Sequence, residues 1–465
     1  MRFFSTIARS PRKLISIALD WTRPKDPPLS LGQASMLANL QKHNIPVVHN
    51  AWSVNHANFD INEVHDYVMQ HARPNTDLAL GAFVWHEPHT QTLLTKLKKE
   101  GFPGRIILGG PQISYTKQNL EKFYPQADVF VRGYGEQALV KLLKSDAEKP
   151  VVSGVHYAGE PDMGLSASVD LENLPSPFLT DLIKPQPFIR LETQRGCPFR
   201  CAFCQHRESD VSMVRREFSH SRIIDEINWI IDNPIIQDIA ILDPTFNSGS
   251  LYLKVLEKFI ERKYTGKLAL QCRTEMVKPE FLDAVSELNN TANVVLEFGL
   301  QTTNKAEAAL IQRPNNMKKI NAVFKETKAR GIETEASLIF GLPNQTLQSF
   351  QHSIDFCKEH EVTRIYAFPL MLLRGTPLYD KKEEYNLVES SDLQINNSRV
   401  QENIPHVIAS DSFTYDDWQQ MASLAAGLDT YNQQQKMQNT LMYTSWHKKS
   451  HETATNISIG RPTLI

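Results

Sequence analysis

The chain has 465 residues, a length that predicts two to four domains, and 41% of its residues are hydrophobic, enough for a sizeable core. Its 50 basic and 52 acidic residues give a net charge of -2, which provides no electrostatic reason to expect nucleic-acid binding. The sequence has no run of about 18 apolar residues, so we expect no membrane span.

Residues 13–145 alternate apolar runs with helical patterns, as expected for βαβ units around a parallel sheet. The predicted strands are Lys13–Leu19, Pro46–Asn50, Asp77–Val84, Arg105–Leu108 and Ala127–Val131. The predicted helices are Leu31–Gln41, Asn62–His71, Thr90–Glu100, Lys117–Phe123 and Glu136–Lys144. The pattern predicts a doubly wound, Rossmann-like α/β domain over residues 1–147, whose ligands would lie at the carboxyl ends of the strands.

A proline-rich stretch, residues 148–185, is interpreted as a linker. Six further βα units follow, and they favour a partial (β/α)6 barrel over residues 186–400. The predicted strands are Phe188–Thr193, Asp238–Leu242, Leu268–Cys272, Asn293–Phe298, Glu335–Phe340 and Arg364–Leu370. Residues 401–465 are interpreted as a small helical extension and tail, with a helix at Tyr415–Gln433.

Three of the five cysteines, Cys197, Cys201 and Cys204, lie within eight residues, in the loop after the first barrel strand. Their spacing, C-x3-C-x2-C, favours metal or cluster ligation over a disulfide framework. Three thiolates can hold three irons of a four-iron cluster and leave the fourth iron open to a substrate. The alternative is a zinc site in which His206 is the fourth ligand.

The stretch from Arg195 to Cys204, which reads RGCPFRCAFC, resembles the hallmark of the radical S-adenosylmethionine (SAM) superfamily. Phe203 matches the aromatic residue that members place between the last two cysteines, and the resemblance implies that it is a cofactor-binding residue. The resemblance implies that Cys197, Cys201 and Cys204 hold a [4Fe-4S] cluster and are the catalytic ligands. It further implies that the open iron binds SAM, which is cleaved reductively to methionine and a 5′-deoxyadenosyl radical.

Later segments resemble the same family at the ends of successive strands. Residues 297–302 read EFGLQT, similar to the family's E-x-G-L-Q-S/T, and residues 340–346 read FGLPNQT, similar to F-G-L-P-x-x-T. The segment from Arg374 to Leu378 resembles a G-T-x-L element after the sixth strand. The resemblance implies that SAM contacts four residues of the first two segments: Glu297, Gln301, Gly341 and Pro343.

The N-terminal domain resembles the cobalamin-binding domain that precedes many radical SAM cores. The segments GGPQ, starting at Gly109, and GYGE, starting at Gly133, match its G-G-P-H/Q and G-E-G-E elements. The resemblance implies that a corrin is contacted by Gly109, Gly110, Gly133, Gly135 and Glu136. The D-x-H-x-x-G motif that supplies a cobalt-ligating histidine elsewhere is absent, so an alternative is a domain of this fold that only shapes a substrate cavity.

The resemblance as a whole implies a cobalamin-dependent radical SAM methyltransferase that methylates an unactivated carbon. The expected substrate is a small molecule or a peptide, the electron donor a reductase or flavodoxin-type protein, and the location the cytoplasm. Two alternatives are an oxidative cyclase or rearrangement enzyme without methyl transfer, and a non-catalytic iron–sulfur sensor.

Overall fold

The computed structural model describes residues 12–206, 215–391 and 404–455, with side chains of the last helix described up to residue 435. Its N-terminal unit is a six-stranded sheet with helices on both faces. The strands are β1 Lys13–Asp20, β2 Val47–Ser53, β3 Thr76–Gly81, β4 Ile106–Gly109, β5 Val129–Val131 and β6 Val155–Tyr157. The helices are α1 Leu31–Lys42, α2 Ile61–His71, α3 Glu87–Lys99, α4 Pro111–Ser114, α5 Leu120–Phe123 and α6 Gly135–Lys144.

The strand order β2-β1-β3-β4-β5-β6 reverses direction between β1 and β3, and β1 to β5 are parallel. Separate apolar clusters fill the two faces of this sheet. One contains Ile15 and Leu78, and the other contains Leu14 and Ile107. Neighbouring residues of one strand therefore face opposite layers, as a sheet covered on both faces requires.

The second unit begins at Phe188. Its strands are β7 Phe188–Leu191, β8 Gln194–Arg195, β9 Arg216–Glu217, β10 Asp238–Ile241, β11 Lys267–Cys272, β12 Asn293–Gln301, β13 Glu333–Phe340 and β14 Arg364–Pro369. Its helices are α7 His220–Asp232, α8 Tyr252–Glu261, α9 Pro279–Leu288, α10 Lys305–Leu310, α11 Met317–Ala329, α12 Leu347–Glu359 and α13 Pro377–Asp380. The chain closes with β15 Val388–Ser390, β16 His406–Ala409 and α14 Tyr415–Thr455.

Six strands of this unit form one parallel sheet in the order β14-β13-β12-β11-β10-β7. Apart from the small β8–β9 pair, each strand lies beside the next in the sequence, which is the arrangement of an incomplete barrel. On β13 every second residue is buried, and on β12 Phe298 and Leu300 are buried while Glu297, Gly299 and Gln301 are less so. The two α/β units expected from the sequence, and their sheet types, are confirmed.

The structure corrects three details of the predicted elements. Strand β6 lies within the stretch interpreted as a linker and pairs antiparallel with β5. Helix α10, the hairpin β15–β16 and the short helix α13 were not predicted, because elements of three to six residues carry too little periodicity to be recognised. Helix α14 extends to Thr455, well beyond the predicted end at Gln433. No helix in the described parts of the chain is long and apolar enough to cross a membrane.

A buried carboxylate ties the amino ends of the first sheet together. Asp77 is fully buried and accepts hydrogen bonds from Arg12 at 2.6 Å and Arg105 at 2.7 Å. Burial alone would raise the pKa of Asp77, but the hydrogen bonds from both guanidinium groups outweigh it and hold the pKa below its usual range.

We predict that this carboxylate makes stability depend on acid pH. Because its pKa is lower in the folded chain, the contribution is complete above the ordinary aspartate pKa of about 4 and is lost as the pH falls below it. In urea unfolding, the free energy of unfolding should decline between pH 7 and pH 3, and this decline should be weaker in Asp77→Asn. At pH 7 the free energy of unfolding of Asp77→Asn should be about 3 kcal/mol lower than that of the wild-type protein. Equal pH profiles for the two proteins would contradict this assignment.

Candidate active site at the facing strand ends

The cysteine loop follows β7 and β8 at the carboxyl edge of the barrel. Gly196, directly before Cys197, has a φ of +84°, which glycine adopts without strain. The Ala202 N–H donates to the carbonyl of Ile311 at 2.8 Å, and the Leu378 N–H donates to the carbonyl of Ala202 at 3.0 Å. The loop is therefore held between the end of α10 and the start of α13.

Each thiol has a different polar neighbour. Cys197 Sγ lies 3.7 Å from Thr245 Oγ1 at the end of β10. Cys201 Sγ accepts from Arg313 Nη1 at 3.5 Å, and Cys204 Sγ accepts from the His206 N–H at 3.3 Å. Burial raises the pKa of Cys204 to about 11, against the opposing effects of that N–H and of the Arg313 charge. A metal must therefore displace a proton from this thiol in order to bind.

The surroundings of the thiols can be compared with the ligands that a single metal ion requires. Among the described residues, no three His, Cys, Asp or Glu side chains converge closely enough to hold one metal ion. The zinc alternative requires four ligands around one centre, and it is His206's backbone N–H that contacts Cys204. Three soft sulfur donors in one short loop match the ligands of an iron–sulfur cluster.

Asp243 lies behind the cysteine loop at the end of β10. It is fully buried and accepts hydrogen bonds from the Thr193 N–H at 2.8 Å and the Gln194 N–H at 3.1 Å, as well as from the Thr193 hydroxyl. Burial outweighs these bonds and raises the pKa of Asp243 to about 7. The carboxylate thus holds the start of the cysteine loop against β10.

Helix α10, which sequence reasoning missed, connects the ends of β12 and β13. Glu307 is fully buried, accepts from the Thr302 hydroxyl at 2.6 Å, and lies 3.4 Å from the Gln345 amide nitrogen. Gln345 in turn accepts the Gly341 N–H at 2.7 Å. The two segments that resemble SAM-binding elements are therefore joined by one buried network. Its only sequence signal was the position of Gln345 in the FGLPNQT segment.

Glu297 is the charged side chain in the first of those segments. It lies on β12, and its carboxylate forms no hydrogen bond or ion pair with another residue in the described part of the chain. Burial raises its pKa, while the charges of Lys267 and Arg23 act in the opposite direction. Gln301 ends the same strand with a φ of +66° at a break in the register with β13. Gln301 thus lies at the carboxyl end of β12, while Glu297 lies four residues earlier on the same strand.

Gly341 and Pro343 lie under the C-terminal part of the chain. Gly341 has a φ of +88°, and a Cβ there would lie 3.1 Å from the Val407 carbonyl oxygen and 3.7 Å from Trp418 Nε1. Pro343 is buried beside it, whereas Phe203 is half-buried on the barrel core. The C-terminal hairpin and helix therefore cover the end of β13.

The glycine-rich loops of the N-terminal sheet differ in what surrounds them. A Cβ on Gly110 would come within 2.9 Å of Ala82 backbone atoms, and one on Gly133 within 2.5 Å of the Ala167 carbonyl oxygen. These two glycines are required by the protein's own backbone. Gly109 and Gly135 have no neighbour closer than 3.5 Å in the direction of a Cβ. A Cβ at either position would make ordinary van der Waals contact with protein atoms, so the surrounding backbone does not require glycine there.

Glu136, predicted as a cofactor contact, forms an ion pair within the protein. Its carboxylate accepts from Arg195 at 2.6 Å and from the Ser35 hydroxyl at 3.3 Å. Arg195 also pairs with Glu192 at 3.0 Å, and the side chains of Arg195 and Glu136 are only 10% and 8% exposed. Arg195, which precedes Gly196 and Cys197, is thereby paired with Glu136, which follows Gly135. This buried pair brings the glycine edge of one sheet to the cysteine edge of the other.

Comparison with known proteins identifies the second unit. Residues 191–357 match the family model of the Radical SAM superfamily. This segment is a radical SAM domain. The superfamily expected from the cysteine spacing is thus confirmed.

Two curated relatives match about two thirds of this chain. One is the cobalamin-dependent radical SAM methyltransferase TokK of Streptomyces tokunonensis, with 29% identity in an alignment that covers 67% of this chain and 49% of that protein. The other is the 2-(S-pantetheinyl)-carbapenam-3-carboxylate methyltransferase of Streptantibioticus cattleyicolor, 26% identical over 66% of this chain and 49% of that protein. This chain thus spans about half the length of these relatives.

A solved structure shares the fold of both units. The radical SAM methyltransferase TsrM of Kitasatospora setae, with cobalamin and a [4Fe-4S] cluster bound, superposes with a TM-score of 0.64. The match covers 82% of this chain and 76% of TsrM at 14% identity. The combination of a Rossmann-like sheet with a radical SAM barrel is therefore shown as a fold.

We predict that the Arg195–Glu136 pair is a large contributor to stability. Arg195→Ala leaves the buried or partly buried carboxylates of Glu136 and Glu192 without their cation. The substitution should lower the free energy of unfolding by about 3–5 kcal/mol. Arg262→Ala is the control, because it removes a surface pair with Asp232 worth about 0–1 kcal/mol. The measurement is urea unfolding together with limited proteolysis between the units. Equal losses in the two variants would contradict a dominant role for the buried pair.

Proposed function

We propose that this chain is a radical SAM enzyme that binds a [4Fe-4S] cluster through Cys197, Cys201 and Cys204, SAM at the open iron, and cobalamin in the N-terminal sheet. When bound, the cluster supplies one electron for the reductive cleavage of SAM, and cobalamin supplies a methyl group. The proposed reaction is methylation of an unactivated carbon in a small molecule or peptide. The main support for the proposal is that the cysteine loop of one sheet and a glycine loop of the other meet at the Arg195–Glu136 pair.

The residues of the chain have three tasks in this proposal. The cysteine loop, held by Ile311 and Leu378, presents its thiolates at the carboxyl edge of the barrel. Gln301 ends β12 and Glu297 lies in the middle of the same strand, and we propose that polar parts of SAM lie beside them. Gly109 and Gly135 lie in the loops at the edge of the other sheet that we propose contact the corrin. A carbon held between the edges would be within reach of both cofactors, and such positioning lowers the barrier of each step.

Contacts between the two α/β units also support the proposal of radical chemistry. A site that is closed to water protects a reactive intermediate from side reactions. Arg374 pairs with Glu87 of the N-terminal unit at 2.7 Å, and Gly375 allows the Tyr115 carbonyl to approach where a Cβ would not fit. The segment resembling the family's G-T-x-L element therefore seals one side of the interface.

The electron must come from outside the chain, and we propose a flavodoxin-type protein or reductase as the donor. All five cysteines are unpaired in the structure, in keeping with the reducing conditions of the cytoplasm, which we propose as the location. The product distinguishes methylation from cyclisation or rearrangement, because only methylation adds the mass of one methyl group.

We predict that Cys201→Ala abolishes reductive SAM cleavage without unfolding the protein. The variant removes one of three cluster ligands, whereas Cys357→Ala, at a buried thiol on α12 outside the cysteine loop, is the control and should retain cleavage. The measurements are iron content after anaerobic reconstitution, 5′-deoxyadenosine released with dithionite, and circular dichroism. Retained iron and cleavage in Cys201→Ala would overturn the cluster assignment.

A further inference from the structure

Arg313 is an arginine that neither the cysteine motif nor the SAM-type segments include. It lies in the loop between α10 and α11, and its own N–H is bound to the carbonyl of Ala308 at 2.9 Å. Its Nη1 donates to Cys201 Sγ at 3.5 Å, and its Nη2 donates to the carbonyl of Gly299 on β12. One side chain thus connects a proposed cluster ligand to the strand that carries Glu297.

The surroundings show that this contact is built into the fold. The same loop holds the backbone next to Cys201, because Ile311 accepts the Ala202 N–H. The Nε atom of Arg313 is buried and has no hydrogen-bond partner among the described residues. No carboxylate within the described chain forms an ion pair with Arg313, in contrast to Arg195 and Arg273. Its charge is therefore directed at the thiol and a carbonyl.

We propose that Arg313 is a positioning residue that raises the reduction potential of the cluster held by Cys201. The inference rests on the proposed function, since it requires the cluster. A hydrogen bond from a cation to a ligating sulfur stabilises the state with more negative charge on the sulfur. Reduction adds one electron to the cluster, so the reduced state gains more from Arg313 than the oxidised state does. The planar guanidinium contacts sulfur and carbonyl at once, which the single ammonium of lysine does not reproduce.

The test is a potentiometric titration of the reconstituted protein, without SAM, followed by electron paramagnetic resonance of the reduced cluster. Leaving out SAM separates an effect on the cluster from any effect on SAM binding. Arg313→Met should shift the midpoint potential to more negative values, and Arg313→Lys should shift it less. Arg330→Met is the matched control: it also removes one positive charge, but Arg330 pairs with Asp283 and Glu326 at the surface.

A second readout reports the hydrogen bond itself. In the wild-type protein and in Arg330→Met, electron–nuclear double resonance should show an exchangeable proton near the reduced cluster that is lost in Arg313→Met. Potentials in both Arg313 variants that equal that of Arg330→Met would overturn the inference while leaving the proposed function intact. Absence of a four-iron cluster from the wild-type protein would contradict the proposed function, and with it this inference.

Discussion

The ion pair between Arg195 and Glu136 fixes how the two halves of the molecule meet. Parallel sheets place their ligand sites at the carboxyl ends of the strands, so each half has one edge suited to chemistry. The pair lies between these edges, with Cys197 two residues from Arg195 and Gly135 next to Glu136. Because both side chains are buried, removing one of them while the halves stay packed would leave the other charge without its partner and out of water. The relative position of the two edges is therefore set by electrostatics as well as by apolar packing.

A short helix and its loop organise the site within the barrel. Helix α10 and the loop after it hold the cysteine loop through Ile311, the end of β12 through Arg313, and the end of β13 through Glu307. Three segments that are far apart in the sequence are thereby kept in one geometry. The contacts are backbone hydrogen bonds and buried polar groups, which tolerate little displacement. Any ligand at this edge meets a largely preformed surface.

Much of this organisation was predictable from the sequence. Continuous apolar strands between amphipathic helices predicted both sheets, and the cysteine spacing predicted the radical SAM domain. Helix α10 was missed because its six residues carry no clear apolar stripe. Glu136 was predicted as a cofactor contact from its motif, whereas its pairing with Arg195, 59 residues away, could not be predicted. Contacts such as Arg313 with Cys201, 112 residues apart, leave no local pattern in the sequence.

The account depends most on the claim that both edges carry a cofactor. The direct measurement is anaerobic purification and cluster reconstitution with added hydroxocobalamin, followed by assays of iron, corrinoid and protein. The account predicts about four irons and about one corrinoid per chain, with the visible spectrum of each. Iron without corrinoid would contradict it, and the N-terminal sheet would then be a substrate-binding or structural module beside a radical enzyme that uses the cluster alone.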